Sequence, residues 1–226
     1  MYNSKGTSAL GRESSVETQE SDRAMAHTGL WRQLEKLNGA GTARRAKCQY
    51  LTGPERYVVP LLNMEYVVSL SERSILPAST DSSQRPAGFL EQLCLLAYLI
   101  NAQELPLAGK LCKAETLPGG QFFFRGPHSL GTEKLQTIFG DSPEALYKAC
   151  PPLGAEQCEF GDASIRLSVL PRLPLTVVIW ARCEEFEARA SILFDKSAAD
   201  QLPLDALMAA ANVASTAIVG AATPNE

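Results

Sequence analysis

The spacing of apolar residues changes along the first part of the chain, from a helical period to an alternating one. Leu30, Leu34 and Leu37 recur at helical spacing and predict a short amphipathic helix that ends at Asn38-Gly39. The segment CQYLTGPERYVVPLLNMEYVVSL then alternates, is rich in Tyr and Val, and contains turn residues. This pattern predicts two or three antiparallel strands joined by tight turns.

The most apolar helix is predicted near the middle of the chain. In GFLEQLCLLAYLINAQ, one stripe is formed by Phe89, Leu93, Leu96 and Ile100, and neighbouring apolar residues widen it. A helix that is apolar over most of its circumference belongs inside a domain. Because each large buried side chain contributes roughly 1.5–3 kcal/mol, we expect this helix to organise the core.

The second half of the chain mixes strands with short helices. Ile165, Leu167 and Val169 alternate with polar residues, LTVVIWARC and FEARASILF follow as strands, and Asp195 is predicted to cap a turn. An Ala-rich helix ends the pattern. Runs of strands between runs of helices favour an α+β fold, with an antiparallel sheet packed with a central apolar helix and several shorter helices.

Composition divides the 226 residues into two parts. Residues 1–28 are rich in Ser, Thr, Glu and Gly and are predicted to form a flexible leader, because they carry no apolar run that would repay ordering. Residues 29–222 are predicted to form a single α+β domain. The stretch LDALMAAANVASTAIVGAA contains Asp205 and Asn212, so we expect a packed helix there and no membrane anchor.

Charge and cysteine content narrow the class of protein. The net charge of −4 and the pI near 5.4 argue against a non-specific nucleic-acid binder, which needs a basic surface. Six cysteines are scattered without a CxxC pair. This is typical of reduced thiols, so a cytoplasmic location is expected.

Motifs for common chemistry are missing from the sequence. Neither G-x-x-x-x-G-K-[ST] nor G-x-G-x-x-G occurs, and Pro118-Gly119 is better explained by a type II turn. The only histidines are His27, in the predicted leader, and His128, which leaves a zinc site unsupported. No G-x-S-x-G marks a hydrolase.

The strongest local signal is FFFRGPHSL, an irregular segment between two predicted helices. His128 follows a proline and would project from a stiff backbone, where its imidazole could ligate a metal or a macrocycle. Arg125 would pair with a ligand carboxylate or phosphate, and aromatic side chains would wall the pocket. The alternative is a partly buried histidine bonded to a backbone carbonyl, with the phenylalanines in the core. The predicted cofactor-binding set is His128, Arg125, Phe122, Phe123, Phe124, Trp180 and Tyr98, with His128 as the metal ligand.

Longer phrases carry a family resemblance. LPGGQFFFRGPHSL, FGDASIRLSVLPRLPLTVVIWARCEEFEARASILFD and SAADQLPLDAL occur in order, and the similarity runs from about Leu30 to Ala217. The chain resembles an uncharacterised prokaryotic family, a domain of unknown function of anaerobic bacteria and archaea that is often carried behind a small cysteine-rich iron–sulfur domain. No cysteine-rich run precedes the domain here, and Cys183 stands where the resemblance implies an acidic residue. The resemblance implies an association with anaerobic redox or corrinoid metabolism.

Together these observations predict a ligand- or cofactor-binding accessory protein of redox or one-carbon metabolism. Haem or cobalamin is the expected class of cofactor, and a redox or iron–sulfur protein the expected partner. One alternative is a small enzyme in which His128 exchanges protons with Asp162, Glu185 or Asp195. Another is a protein–protein adaptor without a ligand, which would expose an apolar patch.

Overall fold

The computed structural model describes residues 27–79, 85–128 and 130–222. Within these ranges the chain forms eight α-helices and two antiparallel sheets, one of four strands and one of five. The α+β fold class is therefore confirmed. Residues 1–26 of the predicted leader lie outside the described residues.

The chain enters through two short helices, of which the sequence predicts only the first. Helix α1 spans Thr28–Leu34 and buries Trp31 and Leu34. Helix α2 spans Gly39–Ala46, and the Asn38 side chain accepts a hydrogen bond from the Gly41 amide at 2.8 Å. The Asn-Gly pair therefore begins a second helix, because an Asn side chain satisfies an amide that the first turn leaves unpaired.

The first sheet is an antiparallel meander, as the alternating pattern predicts. Its inward residues are fully or nearly fully buried, among them Tyr57, Val59 and Val68. Its strands are β1 (Gln49–Leu51), β2 (Arg56–Leu61), β3 (Met64–Ser69) and β4 (Ser74–Pro77), in that spatial order.

Two long helices form the centre of the core. Helix α3, Phe89–Asn101, buries every residue from Cys94 to Leu99. It packs against α8, Leu204–Ala222, which covers the Ala-rich stretch predicted to be a packed helix. By length and composition α8 is apolar enough to cross a membrane, but half of its apolar window is buried inside the protein. Its small side chains let it lie close to α3.

The second sheet has the spatial order β5-β9-β8-β7-β6. Strand β8 is buried on both faces except at Trp180, which explains its almost continuous apolar sequence. The strands are β5 (Leu111–Lys113), β6 (Glu156–Cys158), β7 (Ala163–Leu170), β8 (Leu173–Trp180) and β9 (Arg189–Asp195).

Short helices connect the strands and cover the sheet ends. The α-helices are α4 (Gly120–Phe123), α5 (Glu133–Phe139), α6 (Cys150–Leu153) and α7 (Ala198–Gln201), and the 3₁₀-helices are Ala114–Thr116, Gly126–His128 and Pro143–Ala149.

Non-covalent contacts connect the two sheets. The Leu62 amide at the β2–β3 hairpin donates to the Val169 carbonyl of β7 at 2.8 Å. One hydrophobic cluster extends from Trp31 to Ile218 and includes residues of both sheets.

Candidate functional site

The aromatic segment, residues 120–128, begins at the predicted turn. The Gly120 amide donates to the Leu117 carbonyl at 2.8 Å, and Gly119 adopts the positive φ of +76° that a type II turn needs. Phe124 is buried, with 3% of its surface exposed, whereas Phe122 is 75% exposed. The three phenylalanines therefore divide between core and surface.

His128 lies at the end of this segment with its imidazole exposed. The ring stacks on Phe123, with centroids 4.9 Å apart and planes 10° from parallel. No residue that the structure describes forms a hydrogen bond with the imidazole. The Arg125 side chain is also exposed and has no ion-pair partner in the described ranges. Both groups are thus open to solvent.

Tyr98 and Trp180 lie in two other parts of the fold. Tyr98 is fully buried in α3, where its hydroxyl donates to the Ala46 carbonyl at 2.9 Å and accepts from the Arg172 amide at 3.1 Å. Trp180 ends β8, with the Arg189 guanidinium 5.6 Å from its ring centroid. The contacts given for Tyr98 and Trp180 are therefore with residues outside the aromatic segment.

The carboxylates considered as partners of His128 are occupied elsewhere or exposed. Asp195 accepts from the amides of Ala108, Gly109 and Ser197 and from the Ser197 hydroxyl, at 2.6–3.0 Å. Burial alone would raise the pKa of Asp195, but these hydrogen bonds outweigh it and leave the pKa below its ordinary value. The cap predicted at Asp195 is confirmed, and it also clamps the loop before β5.

Asp162 also has a structural role, because its Oδ2 accepts a hydrogen bond from the Ala181 amide at 2.7 Å. Glu185 is exposed in the β8–β9 loop. The described hydrogen bonds and ion pairs connect neither residue to the imidazole of His128, so the acid–base arrangement has no geometric support.

A cleft of about 500 Å³ lies where the β2–β3 hairpin meets the start of α3, the end of α6 and the last turns of α8. Four separate elements contribute its walls, and most of the lining is apolar. The lining residues are Leu61, Leu62, Asn63, Met64, Tyr66, Arg85, Phe89, Leu90, Glu91, Pro152, Leu153, Asn212, Val213, Thr216 and Ala217.

Asn212 and Tyr66 carry polar groups of the cleft that the fold does not use. The carboxamide of Asn212 is half-buried, and the hydroxyl of Tyr66 belongs to a side chain that is 5% exposed. Neither group has a hydrogen-bond partner within the described part of the chain. Burial raises the pKa of Tyr66, and the Glu91 carboxylate adds to the rise, so the phenol stays a neutral donor.

An ion pair forms the rim of the cleft. Arg85 donates through Nη1 and Nη2 to the two carboxylate oxygens of Glu91, at 2.9 Å each. The same carboxylate accepts from the Gly88 amide at 2.5 Å, and so caps the first turn of α3. Because Glu91 is bonded on both sides, it fixes the position of the helix start that presents Phe89 and Leu90 to the cleft.

His27 supports the wall from behind. Its ring centroid lies 4.5 Å from that of Phe89, and Nε2 lies 3.1 Å from the Phe89 carbonyl oxygen. Only 4% of its surface is exposed, so the assignment of His27 to a flexible leader is wrong. Burial lowers the pKa of His27 below its ordinary value, and the hydrogen bond to Phe89 offsets only part of this change.

The positions of the described thiols, imidazoles and carboxylates give little support for a metal site. Across residues 27–79, 85–128 and 130–222, no three His, Cys, Asp or Glu side chains converge on a point that could hold a metal ion. All six cysteines are free, as expected for reduced thiols. Burial raises the pKa of Cys48 to about 12, so this thiol is a poor nucleophile at neutral pH.

No sequence motif marks the cleft. The available signal is in α8, where Asn212 and Thr216 interrupt an apolar helix four residues apart. Positions i and i+4 share one helix face, so these polar groups mark a face that is not simply core.

Comparison with known proteins places the chain in a family without assigning a reaction. No curated protein and no solved structure matches it. The model of a family described as a domain of unknown function, DUF3786, matches residues 40–217, which covers most of the range over which the resemblance is drawn. The chain therefore belongs to the DUF3786 family.

Proposed function

We propose that this protein is a ligand-binding accessory protein that holds one small, largely apolar molecule in the cleft. The observation that carries the proposal is an apolar cleft of about 500 Å³ into which two unpaired polar groups, on Tyr66 and Asn212, are built. Pockets for small molecules and cofactors have volumes of roughly 300–1,000 Å³ and combine apolar walls with a few placed polar groups.

The polar groups define the chemistry of the ligand. Tyr66 offers a hydroxyl donor, and the carboxamide of Asn212 offers both a donor and an acceptor. A ligand with one hydrogen-bonding end, such as an amide, alcohol or carboxylic acid, would satisfy both. Its apolar body would lie against Leu61, Phe89 and Val213.

The proposal includes the metabolic role of the protein and its partner. The association with anaerobic redox or corrinoid metabolism that the family resemblance implies supports a role beside a redox or iron–sulfur protein in the cytoplasm. An accessory role is favoured over catalysis because, among the described lining residues, the only acid–base pair is the Arg85–Glu91 ion pair, which the fold already uses.

The test fills the cleft and measures binding of a fluorescent probe. The dye 1-anilinonaphthalene-8-sulfonate fluoresces when apolar surroundings exclude water, so the wild-type protein is expected to increase its emission on titration. Thr216→Trp places an indole at the cleft wall and is expected to weaken binding by at least about tenfold, since the probe and the indole would compete for one volume.

Thr137→Trp is the matched control, because Thr137 is an exposed helical threonine of α5 outside the cleft lining. It is expected to bind the dye like the wild type. Circular dichroism confirms that both variants are folded. Equal binding by Thr216→Trp, or no emission from the wild type, would contradict the proposed cleft.

A second candidate is favoured by the exposed imidazole of His128 stacked on Phe123. An unpaired imidazole next to an aromatic ring can serve as an axial ligand for haem or cobalamin. We expect a shift of the absorption bands of added haemin or aquocobalamin that disappears in His128→Ala. Identical spectra for both proteins would exclude this axial ligation and leave the cleft as the binding site.

A further inference from the structure

Three exposed aromatic side chains lie at one end of the five-stranded sheet. Phe160 is 48% exposed, Trp180 37% and Phe186 67%. Phe160 belongs to the β6–β7 turn, and Phe186 to the β8–β9 loop. The register places these connections at the same end of the sheet, because Ala163, the first residue of β7, pairs with Ile179, next to the end of β8. We call this surface the sheet-end patch.

The backbone of the sheet-end patch is held firmly. The Asp162 amide donates to the Ile179 carbonyl at 2.9 Å, and the Asp162 side chain accepts from Ala181. Gly161 has a φ of +58°, and a Cβ there would lie 3.3 Å from Cε2 of Trp180, so the indole lies against the turn. The patch is therefore preformed, which lowers the entropic cost of binding.

The Phe186 loop is also held by backbone hydrogen bonds, one at its start and one within it. The Cys183 amide donates to the Phe186 carbonyl at 3.0 Å, and the Arg182 amide donates to the Gly140 carbonyl at 2.9 Å. Phe186 nevertheless projects into solvent. A large aromatic side chain exposed on an ordered loop is a common anchor in protein interfaces.

Negative charge is concentrated around these aromatics. Six carboxylates against two guanidinium groups give a local net charge of −4, which equals the formal net charge of the whole chain, so the remaining residues sum to zero. The charged residues are Asp141, Glu159, Asp162, Glu184, Glu185, Glu187, Arg182 and Arg189.

Some of these carboxylates are already paired. Arg182 contacts Asp141 at 3.2 Å and Glu187 at 3.0 Å. Glu159, Glu184 and Glu185 have no ion-pair partner among the residues described. The Arg189 guanidinium lies over Trp180 and shows that this aromatic surface accommodates a cation.

We propose that the sheet-end patch docks a basic protein segment in which Lys or Arg side chains flank an apolar residue. The apolar residue would contact Phe160, Trp180 or Phe186, and the basic groups would pair with the free glutamates. Charge complementarity selects this partner over a second copy of the chain, because an isologous contact would bring two surfaces of net −4 together.

The size of the patch indicates a transient complex. The three side chains expose on the order of 300 Å² of aromatic surface, which is less than the roughly 800 Å² per partner of a standard stable interface. Electrostatic attraction would therefore govern much of the association rate and make binding sensitive to salt.

The experiment measures the anisotropy of a fluorescein-labelled peptide composed of lysine and leucine. A peptide with glutamate in place of lysine is the charge control. We expect the full-length protein to bind only the basic peptide at low salt. Phe186→Ser and the double variant Glu184→Lys/Glu185→Lys are each expected to weaken binding by about tenfold.

Matched variants carry the same changes at other places. Phe122→Ser removes an exposed phenylalanine of the aromatic segment, and Glu115→Lys/Glu133→Lys reverses two exposed glutamates. Both are expected to bind the basic peptide within about twofold of the wild type. Equal weakening by these controls, or equal binding of the acidic peptide, would overturn the proposal. So would sedimentation analysis showing a dimer that Phe186→Ser dissociates, because the surface would then bind a second copy.

Discussion

The aromatic segment and the cleft differ in where their functional groups lie along the chain. The aromatic segment gathers three phenylalanines, an arginine and a histidine within seven consecutive residues. The structure then separates them, with Phe124 in the core and Phe122 in solvent. The cleft collects ordinary residues from positions between 61 and 217 onto one surface.

This difference shows that density of reactive residue types in a sequence is a weak guide to a site. Neighbouring side chains on a short helix and turn point in different directions, so they rarely share one cavity. A cavity needs walls that face each other, and those walls come from elements that only tertiary packing brings together.

The largest expected effect is a difference in the free energy of unfolding between variants of two phenylalanines of the aromatic segment. Phe124→Ala should lower the free energy of unfolding by about 3–5 kcal/mol, because it leaves a cavity in the core. Phe122→Ala should change it by less than about 0.5 kcal/mol. Urea denaturation measures both. Similar values for the two variants would show that the segment does not divide between core and surface.

An intermediate effect is expected at the rim of the cleft. Glu91→Ala removes the cap on the Gly88 amide and the ion pair with Arg85, and should cost about 1–2 kcal/mol of unfolding free energy. It should also weaken dye binding, since the start of α3 carries Phe89 and Leu90.

Glu133→Ala supplies the control for this prediction, because Glu133 also lies in the first turn of a helix but is exposed. It should alter stability by less than about 0.5 kcal/mol and leave dye binding unchanged. Stability that falls equally in both variants would show that Glu91 has no special role at the rim.

The smallest expected effect is a pH dependence that arises from His27. The unfolded imidazole takes up a proton as the pH falls through about 6.5, whereas the folded one resists protonation to lower pH because it is buried. The unfolded state therefore binds more protons in this window, and stability should decline as the pH falls below about 6.5.

Denaturation at several pH values between neutrality and mild acid measures this slope. His27→Gln should flatten the slope in this window, because it removes the buried imidazole. A slope that survives in His27→Gln would show that His27 does not couple protonation to folding behind Phe89.

Local rules predicted several elements of the fold well. The apolar stripe of α3, the alternation of β7 and the Ala-rich sequence of α8 reflect periodicities of the sequence itself. The cap at Asp195 and the turn at Gly119 follow from the chemistry of single residues. Helix α2 was missed because Asn38-Gly39 is equally typical of a helix end and of a helix start.

The amino-acid sequence by itself therefore determined the α+β class, the central helix and the family signature. Only the tertiary structure decided that His27 is buried against Phe89, that Tyr98 is bonded inside the core, and that Asn212 faces a cleft with Tyr66. The physical reason is that periodicity records which face of an element is buried. The neighbour on that face is set by packing among residues far apart in the chain.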